Sequence, residues 1–390
     1  MKLYNSRTVA VMLTAAALWL ASGCRKTDYP TVANPAYVRV FNCLVYERSI
    51  DNKDLPQPFL TMLIDPQLDA AGVPVGAAIT GDFLDTRDQW ARPYPDAGNT
   101  SRWQKEYPGG LKNIPGPIVN GFDLSSYAQM PGGEHRIMFV TRPLSDVPFF
   151  SLNAELRSGI TLDTTIKLDA GEIYTMNVLQ RKNKDRKASL YVRQETFTKQ
   201  PFSDTMVYVN FYNLSSEGFF SNFDYSNTNA LPSRAMRDTM QVFYSLYNVE
   251  STQRVIPGYN GNLMTSLYRS QATDVHPYFS FPLFADTIPS RIYTRPVAQR
   301  FTFLVPGVTP AGNPYISGAE SYGNYTELAV GNGLSGTPFT ITADQRTGLV
   351  ISIHSGIYNP RSFATVNTIE YINGRMFLTT IQRRYDPPVY

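Results

Sequence analysis

"AYVRVFN" (Ala36–Asn42) returns as "VYVNFYN" (Val207–Asn213), 171 residues further along the chain. Tyr37, Val38 and Asn42 recur as Tyr208, Val209 and Asn213, and Val40 is answered by the apolar Phe211. Residues two apart in a strand share a face. Val38 and Val40, like Val209 and Phe211, therefore mark the core face of a strand that opens each of two copies. A fainter echo, "FYSLYNV", starts at Phe243. A second pair lies near the end of each copy: "DAGEIYTMNVLQRK" (Asp169–Lys182) and "INGRMFLTTIQRR" (Ile372–Arg384). In both, a turn glycine leads to an aromatic, Tyr174 or Phe377, at the start of an apolar strand.

Working outward, "RIMFV", "TIKLD", "ASLYVRQETF", "RFTFLVPG" and "GLVISIHS" are short alternating runs separated by turn residues. A content of 25 Tyr, 22 Phe, 28 Pro and 26 Gly suits strands and turns, and no long stretch keeps helical periodicity. These readings predict an all-β chain of two tandem β-sandwiches, residues 36–198 and 206–390, joined by a linker at 199–205. Each copy is long enough to bury a core of its own.

Taken together, "VRVFN", "TMLIDP", "MPGGEHRIMFV" and "KLDAGEIYTMNVLQ" resemble the domain of unknown function 4397, a family of bacterial secreted proteins and lipoproteins, notably of the Bacteroidota. The resemblance is clear over residues 36–195 and weaker over 206–390. It implies sandwiches of immunoglobulin-like type, often in tandem, and no established activity. The insertion at 85–121 departs from the compact family pattern.

The N-terminus reads as an address. "MKLYNSR" carries Lys2 and Arg7 without an acid, and "TVAVMLTAAALWL" is uncharged and, at thirteen residues, too short for a bilayer-spanning helix of roughly 20. The small residues Ala21, Ser22 and Gly23 complete a secretory signal over 1–23. Its Gly23-Cys24 end resembles the lipobox of bacterial lipoproteins, although Ala21 stands where leucine is usual. The resemblance implies acylation of Cys24 by three chains, where two already anchor firmly, with 24–35 as a tether. The expected location is the outer membrane, held through the lipid anchor. Losing 1–23 lowers the formal charge from +3 to +1, so no bulk attraction to nucleic acid is expected. Cys43 is then the one thiol besides Cys24, read as a small buried hydrophobe.

The segment Asp85–Gly121 is rich in Pro, Gly and Asn and holds Trp90 and Trp103, the two tryptophans outside the signal. Tyr94 and Tyr107 lie beside them. Long irregular loops are often functional, and these four aromatics are the candidate ligand contacts, for a glycan or an envelope protein. The competing reading has the indoles covering a sandwich edge. "RKNKDRK" (181–187) joins two strands and reads as a solvated hairpin tip rather than a phosphate contact. "GNGLSG" (331–336) matches a dinucleotide-loop pattern, but "TPFTIT" after it reads as a strand where that motif needs a helix. His135, His276 and His354 are isolated and lack metal-ligand spacing. Asp82, Asp85 and Asp88 lack a calcium-loop pattern, and no nucleophile turn is present. Four tripeptides, beginning at Asp163, Asp204, Asp238 and Asp286, resemble the Asp-Thr O-glycosylation site of exported Bacteroidota proteins. The sequence therefore predicts no cofactor, no metal and no enzyme. It predicts a lipid-anchored envelope module for binding or structure, with glycan capture in polysaccharide uptake, or adhesion and fimbria assembly, as alternatives.

Overall fold

Each half of the chain builds its sheets by the same pairing scheme. The computed structural model describes residues 32–44, 57–84, 114, 116–120, 122–124, 127–143, 145, 147–180, 187–203, 205–214, 239–248, 255–283, 297–304, 306–307, 319–320, 325–328, 349–353, 363–372 and 375–384. The first half contains β1 (Pro35–Cys43), β2 (Gln57–Leu68), β3 (Pro74–Leu84), β4 (Ile118–Val119), β5 (Phe122–Asp123), β6 (Ala128–Pro131), β7 (Gly133–Arg142), β8 (Ile160–Leu168), β9 (Ile173–Gln180) and β10 (Ala188–Glu195). The second contains β11 (Met206–Leu214), β12 (Thr239–Asn248), β13 (Asn262–Tyr268), β14 (Phe279–Pro282), β15 (Val297–Leu304), β16 (Ala319–Glu320), β17 (Tyr325–Leu328), β18 (Leu349–Ile353), β19 (Phe363–Ile372) and β20 (Arg375–Arg384). The quoted alternating runs fall on β7, β8, β10, β15 and β18, while TPFTIT lies outside the described residues. The chain is all-β, and residues 33–390 form one compact unit.

Sheets β10-β9-β1-β6 and β3-β2-β7-β8, with the two-stranded β4-β5, make up the first half. Sheets β14-β11-β19-β20-β17 and β13-β12-β15-β18-β16 make up the second, with β16 and β17 as additions at sheet edges. The opening strand of each half lies between an antiparallel neighbour, β6 or β14, and a parallel one, β9 or β19. Tyr37 is in register with Ile173, and Tyr208 with Ala364. Strand β9 therefore corresponds to β19, whereas the sequence echo had matched it to β20. The mismatch has a simple cause. Strands β9, β19 and β20 all alternate, and local pattern does not record which neighbour a strand pairs with.

Alternation places the core where the repeat put it. Val38, Val40, Met176 and Val178 on one sheet meet Leu60, Met62, Ile137 and Phe139 on the other. In the second half Val207, Val209 and Phe211 meet Val242, Leu246, Phe301 and Phe303. The shared Asn42 and Asn213 stand on this same core face and are buried. Asn42 is tied there through Oδ1, which accepts the Leu44 N–H at 3.2 Å. Turn chemistry frames β2 and β3: Asp69 Oδ1 accepts from Ala71 and Val73 N–H, and Gly72 takes the left-handed φ of 80° that its turn requires.

The opposite faces of β1 and β11 are largely buried too, with Tyr37 and Tyr208 half-buried. Tyr37, Arg39, Phe41 and Cys43 alternate with the core residues of β1, and Tyr208, Asn210, Tyr212 and Leu214 do the same on β11. These outer faces pack on each other. Phe41, Cys43 and Leu179 of the first half cluster with Leu214 and Ala272 of the second. Leu124, Tyr127, Ile173 and Phe197 cluster with Tyr212, Ala364 and Val366. Hydrogen bonds cross the seam. Arg193 donates to the Ala272 carbonyl at 3.2 Å and to Thr368 Oγ1 at 3.3 Å, and its guanidinium lies 3.9 Å from the centre of the Tyr212 ring. Arg269 donates to Tyr191 Oη at 3.1 Å. The thiol of Cys43 is buried here, as expected of a small hydrophobe.

On the far side of the first half, Phe149 and Leu152 cover Leu63, Met138 and Val140. Arg142 fastens that covering segment, since Nη2 donates to the carbonyls of Ser145 at 2.8 Å and Val147 at 2.5 Å.

Candidate functional site

The insertion at 85–121 leaves the end of β3, in one sheet of the first half, and returns to β6 in the other. Its return is anchored in the seam. Gly116 N–H points at the carbonyls of Leu124 and Tyr127, at 3.1 and 2.9 Å, and the Gln129 N–H donates to the Ile114 carbonyl at 2.8 Å. A Cβ on Gly116 would stand 2.7 Å from both the Leu124 side chain and its carbonyl, so only glycine allows this approach. Asn120 takes the left-handed φ of 47° at the β4–β5 corner. Its Nδ2 donates to the Thr198 carbonyl at 2.7 Å, tying the insertion to the chain that leads into the second half. Val119 packs against the seam cluster, while Ile118 points outward at 73% exposure.

Trp90, Tyr94, Trp103 and Tyr107 lie outside the described residues, as does Cys24. What the structure supplies is the base on which the aromatic segment stands. It is held by both halves, because Leu124 and Tyr127 share a cluster with Tyr212, Ala364 and Val366.

Around this base sits a group of buried polar side chains that sequence reasoning missed. Arg39, Tyr127, Thr175, Arg193, Glu195, Tyr212 and Tyr278 line the seam. Arg193 Nε donates to Glu195 Oε1 at 2.9 Å. Tyr127 Oη and Thr175 Oγ1 are 3.4 Å apart. Burial pushes the phenols of Tyr127, Tyr212 and Tyr278 upward, so at neutral pH they are un-ionised packing and hydrogen-bonding groups. Burial pulls the Arg39 guanidinium down to about 10. The available signal was Arg39 itself, a charge inside an otherwise apolar strand at the head of the repeat.

The remaining sequence candidates have local explanations where they are described. His135 Nδ1 lies 2.7 Å from Asp65 Oδ2, and Nε2 donates to the Pro131 carbonyl at 2.9 Å. The His276 ring stacks on Tyr212 at 5.7 Å. His354 lies outside the described residues, as do Asp85, Asp88, the GNGLSG segment and all of RKNKDRK except Lys187. The strands flanking RKNKDRK pair antiparallel, with Gln180 opposite Ala188, as a hairpin requires. Among the described residues no group of three or more His, Cys, Asp or Glu side chains is placed to hold a metal ion.

Of the Asp-Thr tripeptides, Asp163-Thr164-Thr165 lies on β8, at the edge of its sheet. Arg136 grips Asp163 with two hydrogen bonds, of 2.9 and 2.6 Å, and holds its carboxyl below the usual range. Thr205 is exposed, with Oγ1 2.9 Å from Ser203 Oγ. Thr239 begins β12, and Asp286-Thr287-Ile288 lies outside the described residues.

No family model matches the sequence, and no curated protein shows significant similarity to it. Among solved structures, one described as a "putative cell adhesion protein" from Bacteroides uniformis aligns over 91% of this chain and 100% of its own. The identity is 8% and the TM-score 0.14, a value at which two chains do not superpose as one fold. Among the described residues, no helix is long and apolar enough to cross a membrane.

Proposed function

We propose that the chain is a lipid-anchored protein of the cell envelope that acts by binding or by scaffolding, without catalysis. The observation that carries the anchor is the Gly23-Cys24 end of the short apolar run. Three acyl chains on Cys24 would hold the protein at the outer membrane with no spanning segment. The test is fractionation of cells making the Cys24→Ala variant. The expected result is a shift of the protein from the membrane fraction to the soluble one. Full retention in the membrane contradicts the anchor.

The binding surface in this reading is the aromatic segment within 85–121, and its partner is a glycan or an envelope protein. Supporting this is the way the segment's return is fixed: Gly116 bonds to Leu124 and Tyr127, Asn120 bonds to Thr198, and Leu124 packs in a cluster shared with the second half. Aromatic rings on a fixed base suit stacking against sugar faces or a partner surface, and tryptophan is enriched where binding energy concentrates. Glycan capture is favoured over fimbria assembly because Trp90, Tyr94, Trp103 and Tyr107 fall within one stretch of the sequence. With the signal removed, the tryptophan emission of the protein comes from Trp90 and Trp103 alone. Emission close to that of free indole in water is expected. Strongly blue-shifted emission from both positions would overturn the assignment. Trp90→Ala and Trp103→Ala should weaken glycan binding and leave the melting temperature nearly unmoved, whereas buried indoles would each cost roughly 3–5 kcal/mol.

A further inference from the structure

Arg39 is 1% exposed, and among the described residues its Nε and Nη2 reach no acceptor. It stands at the centre of β1 on the seam face, in one row with Thr175 on β9 and Arg193 on β10. Two arginines therefore flank one threonine across three neighbouring strands, with inter-strand spacings of roughly 4.8 Å. The single buried carboxylate of the group, Glu195, is engaged by Arg193 Nε. The other donors of Arg193 are taken up by the Ala272 carbonyl and Thr368. Arg39 is hydrogen-bonded to the Tyr127 hydroxyl and lies 4.8 Å from the centre of the Phe41 ring and 6.0 Å from that of Tyr127. Neither ring carries a charge, and the phenol stays protonated.

A buried guanidinium cannot relieve itself by losing its proton under physiological conditions. An isolated charge in an apolar layer is strongly unfavourable unless it is paired. A water molecule would accept from Nε and Nη2 but would leave the charge uncompensated. A small anion does both.

We propose that the seam between the two halves binds one small inorganic anion, of the size of chloride, against Nε and Nη2 of Arg39. The ion would neutralise the central arginine of the interface and so strengthen the closed arrangement of the two halves. This proposal is independent of the membrane anchor and of the aromatic segment.

The test uses the full mature protein at constant ionic strength, with sodium chloride or sodium bromide replaced stepwise by sodium gluconate, whose anion is too large for the site. Above the dissociation constant, each tenfold rise in chloride is expected to raise the apparent folding constant about tenfold, seen as a rising melting temperature. Arg39→Met should abolish that dependence. Equal melting in chloride and gluconate overturns the proposal, and so does an unchanged chloride dependence in Arg39→Met. If that variant does not fold, bromide-soaked crystals of the parent decide. An anomalous peak within hydrogen-bonding distance of Arg39 Nε and Nη2 supports the site. A water molecule there, with no anomalous signal, refutes it.

Discussion

Phe211→Ala is expected to destabilise the protein by about 3–5 kcal/mol, the range for emptying a fully buried aromatic position. The ring is 1% exposed and meets Phe301 and Phe303 edge-on, with centroids 4.8 and 5.0 Å away. Phe301 in turn meets Phe281 at 5.6 Å, and Phe281 meets Tyr244 at 5.0 Å. Phe211 thus joins β11 to β15 through a chain of aromatic contacts that crosses the core of the second half. Alanine removes the whole ring, and strands paired on both sides cannot close over the space. Phe211→Leu keeps most of the volume and should cost less than half as much. Urea denaturation checks this: the transition should move to lower urea with its slope unchanged. If the halves unfold in separate steps, only one should move. A loss under 1 kcal/mol for the alanine variant would show that Phe211 does not sit in a packed core.

Glu195→Ala should be as damaging, for a different reason. Arg193 and Glu195 are both buried, at 3% side-chain exposure each, with their charged atoms 2.9 Å apart. Removing the carboxylate leaves the Arg193 charge buried, and such losses run to about 3–5 kcal/mol. The pair itself need not add net stability, because both ions gave up hydration to enter the seam. Arg193→Met with Glu195→Leu should therefore recover most of what the single change loses. A double-mutant cycle in urea gives the coupling directly. Additive effects of the two changes, with no coupling, would mean that the two side chains do not act as a pair. Because Arg193 also bonds to Ala272 and Thr368, the restored variant is expected to hold the halves together less specifically.

The interior of each half was legible from one strand. Val38 and Val40, and Val209 and Phe211, alternate with more polar neighbours, and a period of two fixes which side chains share a face. That inference needs only neighbours along the chain, so the repeat announced it. The seam was not legible in this way. Tyr37, Arg39 and Phe41 look like the outward side of a half-buried strand, and although Cys43 reads as buried, nothing local says that another sheet will cover this face. The same limit explains the pairing of Asp169–Lys182 with Ile372–Arg384. Both stretches enter a strand from a tight turn, yet hydrogen bonding makes β19, not β20, the counterpart of β9.

The aromatic insertion lay between these extremes. Its composition marked Trp90, Tyr94, Trp103 and Tyr107 as candidates, but the burial of Leu124 and Tyr127, on which its return is anchored, depends on Tyr212, Ala364 and Val366 of the second half. By itself the sequence determined the all-β class, the doubled strand and which residues face each interior, because alternation is written along the chain. Only the tertiary structure decided which strands pair and that the outer faces of β1 and β11 close on one another. It also brought Arg39, Arg193 and Glu195 into one dry layer. Burial is a property of what surrounds a residue in space, and much of that surrounding comes from positions far along the chain, as with Thr368, 175 residues from the Arg193 that bonds to it.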